Sequence, residues 1–434
     1  MVAFAHMPST RLQSLDVLRG IAILGTLGTN IWIFTHPEGL VGYLNGTPDS
    51  DWRPVEVVLQ FLAQGKFLGL LTVMFGIGLA LQQRSALRAG QHWPGSYPWR
   101  AVLLLLDGVV HFVLLTEFDV LMGYAITGWI VSYLLLTSPR TQRRIIATAA
   151  AVHLTLLAAI TVVLLAGPSE TGPRAPLEPN PYAHGSFWDL VTFRLDHVVL
   201  FRLETVFIFP MSIALFLLGA RLFQAGVLEP RGTALRRRLM WLGFAVAAPV
   251  DIALEVTAGG PGLLVARYGV APFVSLAILS AVAEFYVRRP HHRWAGRRLA
   301  EVGRMALSSY VLQNLVASAI CYGWGLGLAA STPPQHRVPV TVAIYLVVVA
   351  VVMAFAHLWL RRFDRGPVEW LWNTSYRALA RPTGRRQFGL PAEVATSSPN
   401  HFSLIMSYDP SSRMLNNVWS IGLRSLLPTA TTNP

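Results

Sequence analysis

The sequence predicts an all-α, polytopic membrane protein with about ten transmembrane helices and both termini in the cytoplasm. Three observations predict it. Of the 434 residues, 53% are hydrophobic and only 13% are charged, about half the charged share of a soluble domain. The apolar residues gather into runs of about 18 to 25, the length a helix needs to cross hydrocarbon. The 35 basic residues, against 22 acidic ones, collect in alternate gaps between those runs.

Backbone groups cannot be left unpaired in lipid, so each run reads as a helix rather than a strand. The runs cover approximately residues 16 to 35, 56 to 81, 101 to 116, 119 to 137, 145 to 166, 204 to 223, 239 to 256, 263 to 287, 305 to 329 and 338 to 360. The third and fourth are separated only by the turn at Glu117 and Phe118. The even-numbered gaps hold arginine groups such as Arg84, Arg88 and Arg100, or Arg236, Arg237 and Arg238, whereas the third gap has Glu117 and no base. Short loops rich in basic residues stay in the cytoplasm. Topology, not nucleic-acid binding, therefore accounts for the net charge of +13.

The first 14 residues lack the apolar core and cleavage site of a signal peptide, so the first run is expected to remain as a membrane helix. The expected organisation is a cytoplasmic N-terminus over 1–14, a transmembrane domain over 15–381 and a disordered cytoplasmic tail over 382–434, where Ser, Thr, Asn and Pro abound. The longest outer loop, 167 to 203, begins with a Gly/Pro-rich irregular stretch. It continues over 187 to 201 as a candidate amphipathic helix lying along the outer surface. Cys321 is the single cysteine, which rules out an intrachain disulfide.

Ionisable groups inside membrane helices cost several kcal/mol at the bilayer centre and are functional candidates by default. One group falls in the outer half. Asn30 lies about 16 Å along the first helix from Arg19, at 1.5 Å per residue. Lys66, the only lysine, is on the second helix, and Asp107 and His111 share a face of the third, with Glu117 and Asp119 at its outer end. A histidine can act as general base or acyl acceptor, a carboxylate such as Asp119 can orient it, and Asn30 and Lys66 can stabilise an oxyanion. Structural readings stand beside these. His111 also reads as satisfied by Asp107, Lys66 as snorkelling to the surface, and Asn30 as a hydrogen bond between helices.

A second group is cytoplasmic: Asp16 and Arg19, able to pair at i,i+3, together with Arg304 and Glu369. An arginine pair suits the phosphates of a nucleotide-bearing cosubstrate. The ninth helix carries Ser308, Ser309, Tyr310, Gln313 and Asn314, which can line a pathway or join helices. Gly76 and Gly78 offer a close-packing surface. His36, beside Pro37, reads as a surface residue, and Asp251 and Glu255 as a pair that Arg267 could neutralise. His291 and His292 lack companions at ligand spacing, so no metal is expected.

These residues carry a resemblance. The stretch from Ser14 through Asp16, Arg19 and Gly20 to Ala22, followed by Asn30, is similar to the opening of the YeiB-like bacterial membrane proteins, a family built on a domain of unknown function. Lys66-Phe67, the segment from Phe75 to Gly78, the segment from Gly108 to His111, Asp119, and the segment from Tyr124 to Gly128 resemble its next blocks. The segment from Gly303 to Leu307 with Tyr310 and Gln313, and that from Gly366 to Trp372, resemble its closing ones. Ser308-Ser309 stands where that family usually has Thr-Asn. The Asp-x-x-Arg-Gly opening is also similar to that of transmembrane acyltransferases, including the heparan glucosaminide acetyltransferase family. There an asparagine at the place of Asn30 and a nearby histidine belong to the reaction centre; His36 is near that place but out of register.

The resemblance implies an acyl-CoA-dependent acyltransferase of the bacterial inner membrane. Taken with the two groups of polar residues at their two depths, it makes His111, Asp119, Asn30 and Lys66 the expected catalytic residues, and Arg19, Arg304, Asp16, Tyr310 and Gln313 the expected binding residues for the acyl-CoA cosubstrate. The rival reading is a small-molecule transporter or exporter. Expected partners are membrane lipid, an unidentified small-molecule acceptor and, at most, a second copy in a homodimer, with no nucleic acid.

Overall fold

The computed structural model describes residues 10–46, 51–167, 176–257, 259–289 and 294–380, and among them every regular element is a helix. The first nine residues, the Gly/Pro-rich stretch 168–175, His291, His292 and the tail 382–434 lie outside the described residues.

In chain order the α-helices of eight residues or more are α1 (Thr10–Phe34), α2 (Arg53–Ala63), α3 (Lys66–Arg88), α4 (Tyr97–Leu114), α5 (Leu121–Leu134), α6 (Pro139–Ala166), α7 (Phe187–Asp196) and α8 (Val198–Phe207). They continue as α9 (Phe209–Gln224), α10 (Thr233–Met240), α11 (Ala248–Thr257), α12 (Ala271–Arg288), α13 (Trp294–Arg304), α14 (Ala306–Cys321), α15 (Arg337–Trp359) and α16 (Pro367–Leu379). All ten apolar runs are thus helical. Among the described residues, seven helical stretches, counting α2–α3, the α10–α11 stretch and Gly260 through α12 as one each, are long and apolar enough to cross a membrane, or eight if the pair α8 and α9, bent by 43°, forms one span. The helices α5, of 14 residues, and α14, of 16, are apolar but short.

Local sequence explains the breaks. Gly65 sits at a φ of +72° between α2 and α3, a conformation that favours glycine. Single stretches of π-helix, Trp241–Ala247 before α11 and Ala266–Val270 before α12, interrupt the two spans that face each other there. Ser186 and Asp189 close a reciprocal capping box at the start of α7; the hydrogen bonds that Asp189 accepts from Ser186 hold its carboxyl below the usual range.

Burial is inverted relative to a soluble protein. α6 leaves Val163 69% and Leu165 68% exposed, an apolar ridge suited to lipid rather than water. The interior forms two apolar clusters. One surrounds the crossing of α3 and α9, the other surrounds α1, α14 and α15, and Leu104 and Val120 pack against both. At the first crossing a Cβ on Gly76 would lie 1.9 Å from the Phe216 carbonyl oxygen, and one on Gly219 2.1 Å from that of Val73. Gly76 is therefore the close-packing residue, and Gly78, with nothing within 4 Å of its Cβ position, is not.

The arginine-rich gap before the ninth run holds a helix the apolar pattern does not show. α13 seats on α1 through Gly303, whose added Cβ would stand 1.7 Å from the Asp16 carbonyl oxygen, and through Gly20, which meets Leu299 in the same way. Since backbone cannot yield as a flexible side chain does, Gly303→Ala is expected to cost about 1–3 kcal/mol of stability, seen as a lowered unfolding midpoint in detergent. An arginine of another cytoplasmic-type gap is also structural: buried Arg236 joins α10 to Glu284 on α12 at 2.6 Å and donates to the carbonyls of Val227 and Glu229.

The segment 187 to 201 is not one continuous helix. It is the helix pair α7 and α8, which turns Leu190, Val191, Arg194 and Phe201 inward.

Candidate functional site

α4 delivers His111 into the seam between the two clusters, where the imidazole is 2% exposed. Its Nδ1 lies 3.0 Å from Asp119 Oδ1, at ion-pair distance but not aligned as a hydrogen bond. On the other side, Asn314 Nδ2 of α14 is 3.0 Å from His111 Nε2. An amide nitrogen only donates, so Nε2 offers its lone pair and Nδ1 keeps the proton toward Asp119. The ring of Tyr310 stacks on the imidazole, with centroids 4.7 Å apart and planes 23° from parallel. Asp107 is not the histidine's partner, although the i,i+4 spacing permits it.

The turn that carries Asp119 is clamped. Asp119 Oδ2 accepts the Met122 amide at 3.1 Å, which fixes the start of α5. Arg202 of α8 donates to the carbonyls of Asp119 and Glu117. Arg194 of α7, 2% exposed, pairs with Glu117 at 3.4 Å and donates to the carbonyls of Val113 and Leu115 at the end of α4. Tyr182 donates to the other Glu117 oxygen at 2.8 Å. Last-turn carbonyls of a helix have no intrahelical partner; here the Arg194 guanidinium supplies one at the end of α4, while Arg202 serves the carbonyls of the turn that follows.

Two cavities approach this centre. The larger, about 370 Å³, has Arg19, Arg100, Arg304 and Glu369 among its lining groups, together with apolar side chains such as Ile23 and Leu121 and the ring of Tyr310. The smaller, about 40 Å³, is lined by Asn30, Asp119, Arg202, Glu204 and Arg267, and also by Tyr310. Tyr310 and Val120 belong to both walls. One face of α1 serves both: Arg19 and Ile23 line the larger cavity, Thr26 and Asn30 the smaller, at spacings of four, three and four residues. His111 opens to neither and lies behind Tyr310.

The other singled-out residues take these places. Arg19 pairs with Asp16 at 3.1 Å, and Arg304 donates to the Asp364 carbonyl at 3.2 Å. Glu369 of α16 accepts the amides of Leu307 and Ser308 at 2.8 and 3.1 Å, and the Ser308 hydroxyl as well. It therefore caps α14, and Ser308, which departs from the family pattern, is part of that cap. Gln313 is fully buried, lines neither cavity, and both of its amide atoms lack a partner among the described residues.

Lys66 does not join His111. It is 2% exposed, in contact with Asp251 and 3.8 Å from Glu255, with its ammonium 4.3 Å above the Phe61 ring. It is a buried ion pair, not a snorkelling amine, and it fills the part the sequence reading gave to Arg267. Arg267 instead pairs with Glu204 at 3.0 Å, beside the smaller cavity. His36 is not a surface residue: it is 7% exposed and its Nδ1 accepts the Glu38 amide at 3.2 Å. Burial, then the charge of Arg337, lowers its pKa to about 4, so it stays neutral and structural.

Asn314, Arg194 and Arg202 were absent from the predicted catalytic and binding set. The last two carry a signal in hindsight: they are arginines in the longest gap on the side where short loops carry few bases, so burial in protein is their natural fate. Among the described residues no group of three or more His, Cys, Asp or Glu could hold a metal.

The family model described as "Protein of unknown function (DUF418)" matches residues 222–378. The chain is 28% identical over 408 residues to "Uncharacterized protein YxaH" of Bacillus subtilis (strain 168), covering 87% of this chain and 98% of that protein. It is also 28% identical over 393 residues to "Uncharacterized protein YeiB" of Escherichia coli (strain K12), covering 83% of this chain and 95% of that one.

Proposed function

We propose, from the premise that this chain is a YeiB-like membrane protein, that it is a transmembrane acyltransferase. In this reading ten helices cross the bacterial cytoplasmic membrane, with both termini and the arginine-rich end in the cytoplasm. The observation that supports the reading is the shared wall: Tyr310 and Val120 line both cavities, His111 and Asn314 stand behind Tyr310, and their neighbour Asp119 lines the smaller cavity.

Acyl-CoA enters the larger cavity from the cytoplasm, its phosphates toward Arg19 and Arg304 and its thioester toward Tyr310. A small acceptor places a hydroxyl or amine in the smaller cavity. Movement of Tyr310 and of the Asn314 amide frees Nε2 of His111. Nε2 takes the acceptor's proton as the acceptor oxygen or nitrogen bonds to the thioester carbon. The carbon–sulfur bond then breaks, and the proton passes from Nε2 to the departing CoA sulfur. Asp119 stabilises the transient imidazolium, while the Asn30 amide and the Arg202 guanidinium stabilise charge on the carbonyl oxygen. Lys66 has no part in this assignment.

The test is thiol release. Purified protein in lipid nanodiscs is given acyl-CoA and a panel of hydroxyl and amine acceptors, and free CoA is read with a thiol reagent. Cys321 is buried and adds little background. Acceptor-dependent release supports the enzyme. Absence of release and of any stabilisation by CoA, together with solute counterflow in proteoliposomes, would mean that the chain is a transporter.

A further inference from the structure

We infer that the groove between the end of α15 and the face of α16 that carries Trp370 and Arg377 binds the phosphodiester headgroup of an anionic glycerophospholipid, whether the chain is an enzyme or a transporter. The groove shares no lining residue with either cavity described above. Its position points to the bilayer. α15 belongs to a stretch long and apolar enough to cross a membrane, and Trp359 is its last residue, so the groove falls where hydrocarbon gives way to headgroups. Tryptophan is favoured at that boundary. Trp359 and Trp370 both line the groove, with Phe363 stacked on Trp359 at 4.5 Å. Trp370 is 64% and Phe363 51% exposed, apolar area that acyl chains cover and water does not.

The charge of the groove selects the headgroup. Arg362, Arg365 and Arg377 line it against a single carboxylate, Asp364, and among the described residues none of the three guanidinium groups has an ion-pair or hydrogen-bond partner. A second surface groove supplies the contrast. It also holds three arginines, Arg84, Arg88 and Arg231, but Glu229 stands 2.9 Å from Arg231 and 4.0 Å from Arg84, so part of its charge is met from within the chain. The walls of the α16 groove are set before any lipid arrives. Trp370, Asn373, Thr374 and Arg377 line it at i, i+3, i+4 and i+7, one face of the helix. Glu369 on another face caps α14, and Trp359 donates its indole N–H to the Arg365 carbonyl at 2.8 Å. A phosphodiester offers anionic oxygens for charge-assisted hydrogen bonds from guanidinium groups, and basic pockets beside membrane helices take such headgroups.

The experiment measures lipid binding to the full chain in mild detergent by native mass spectrometry, with dioleoyl phosphatidylglycerol and dioleoyl phosphatidylcholine as probes. The anionic lipid is expected to bind about a hundredfold more tightly, about fivefold for each of the three arginines. Arg362→Gln, Arg365→Gln and Arg377→Gln should each remove about that fivefold share. The triple variant should bind both lipids alike, with its lipid-free unfolding midpoint unchanged because none of the three is paired. Replacing Arg84, Arg88 and Arg231 by Gln should leave the preference within about twofold, since surface charge alone is screened over a Debye length. Equal binding of the two lipids by the unaltered chain would overturn the inference. An unchanged preference in the three single variants would overturn it as well, even if the triple variant failed to fold. Equal losses in the two sets of variants would reduce the effect to diffuse charge and overturn it too. Glycerophosphoglycerol, the same headgroup without acyl chains, is expected to compete far more weakly than the lipid; competition on equal terms would give the groove to a soluble phosphate ester and overturn the lipid assignment.

Discussion

His111→Ala is expected to slow acyl transfer by about 10²- to 10⁴-fold, the usual contribution of a positioned general base, while binding of the CoA donor stays within a few-fold. The separation follows from position. His111 lines neither cavity, whereas Arg19 and Arg304 line the donor chamber, so removal of the imidazole takes away chemistry and not the donor's contacts. Asp119→Asn should lower the rate in the same direction by a smaller factor, because Asp119 stands 3.0 Å from Nδ1 and acts through the imidazole. Single-turnover rates with labelled donor check both. An undiminished rate in the alanine variant would transfer the role of base to another group.

Lys66→Met is expected to be the most destabilising single change in the interior, by about 3–5 kcal/mol, the cost of leaving a buried charge without its partner. Lys66 holds two carboxylates, Asp251 at 0% and Glu255 at 4% side-chain exposure, and among the described residues no other cation stands within ion-pair distance of either. Adding Asp251→Asn to Lys66→Met should therefore recover more than half of the loss. Unfolding midpoints of the two variants and of the double variant supply the comparison. Full stability of Lys66→Met would mean that the carboxylates are already neutral.

The sequence made the helices legible because span-length apolar runs have one physical meaning. It also put His111, Asp119 and Asn30 at compatible depths, and depth follows from counting residues along a helix. What counting cannot supply is the rotation of one helix against another. Lys66 and Arg267 lie at similar depths on neighbouring spans, and only the packing of α3 against α12, with Gly65 set on the Arg267 carbonyl, decides that Lys66 turns to Asp251 and Arg267 to Glu204. Helix α13 was hidden for a related reason. It is too rich in arginine to register as an apolar run, yet its Gly303 and the Gly20 of α1 let the two helices seat together. Asn314 was visible as one polar residue among five on a span, with nothing in the spacing to mark it as the one facing His111.

The partition made by Tyr310 has an electrical consequence. On the proposed sidedness, conducting water in the two chambers would reach opposite sides of one aromatic ring, so the membrane voltage would drop mainly across the few ångströms between them instead of across the whole bilayer. A proton relayed past Tyr310 would then cross most of that drop, worth about 2.3 kcal/mol per 100 mV for each unit charge. The turnover of such a protein would be tied to the energised state of the cell.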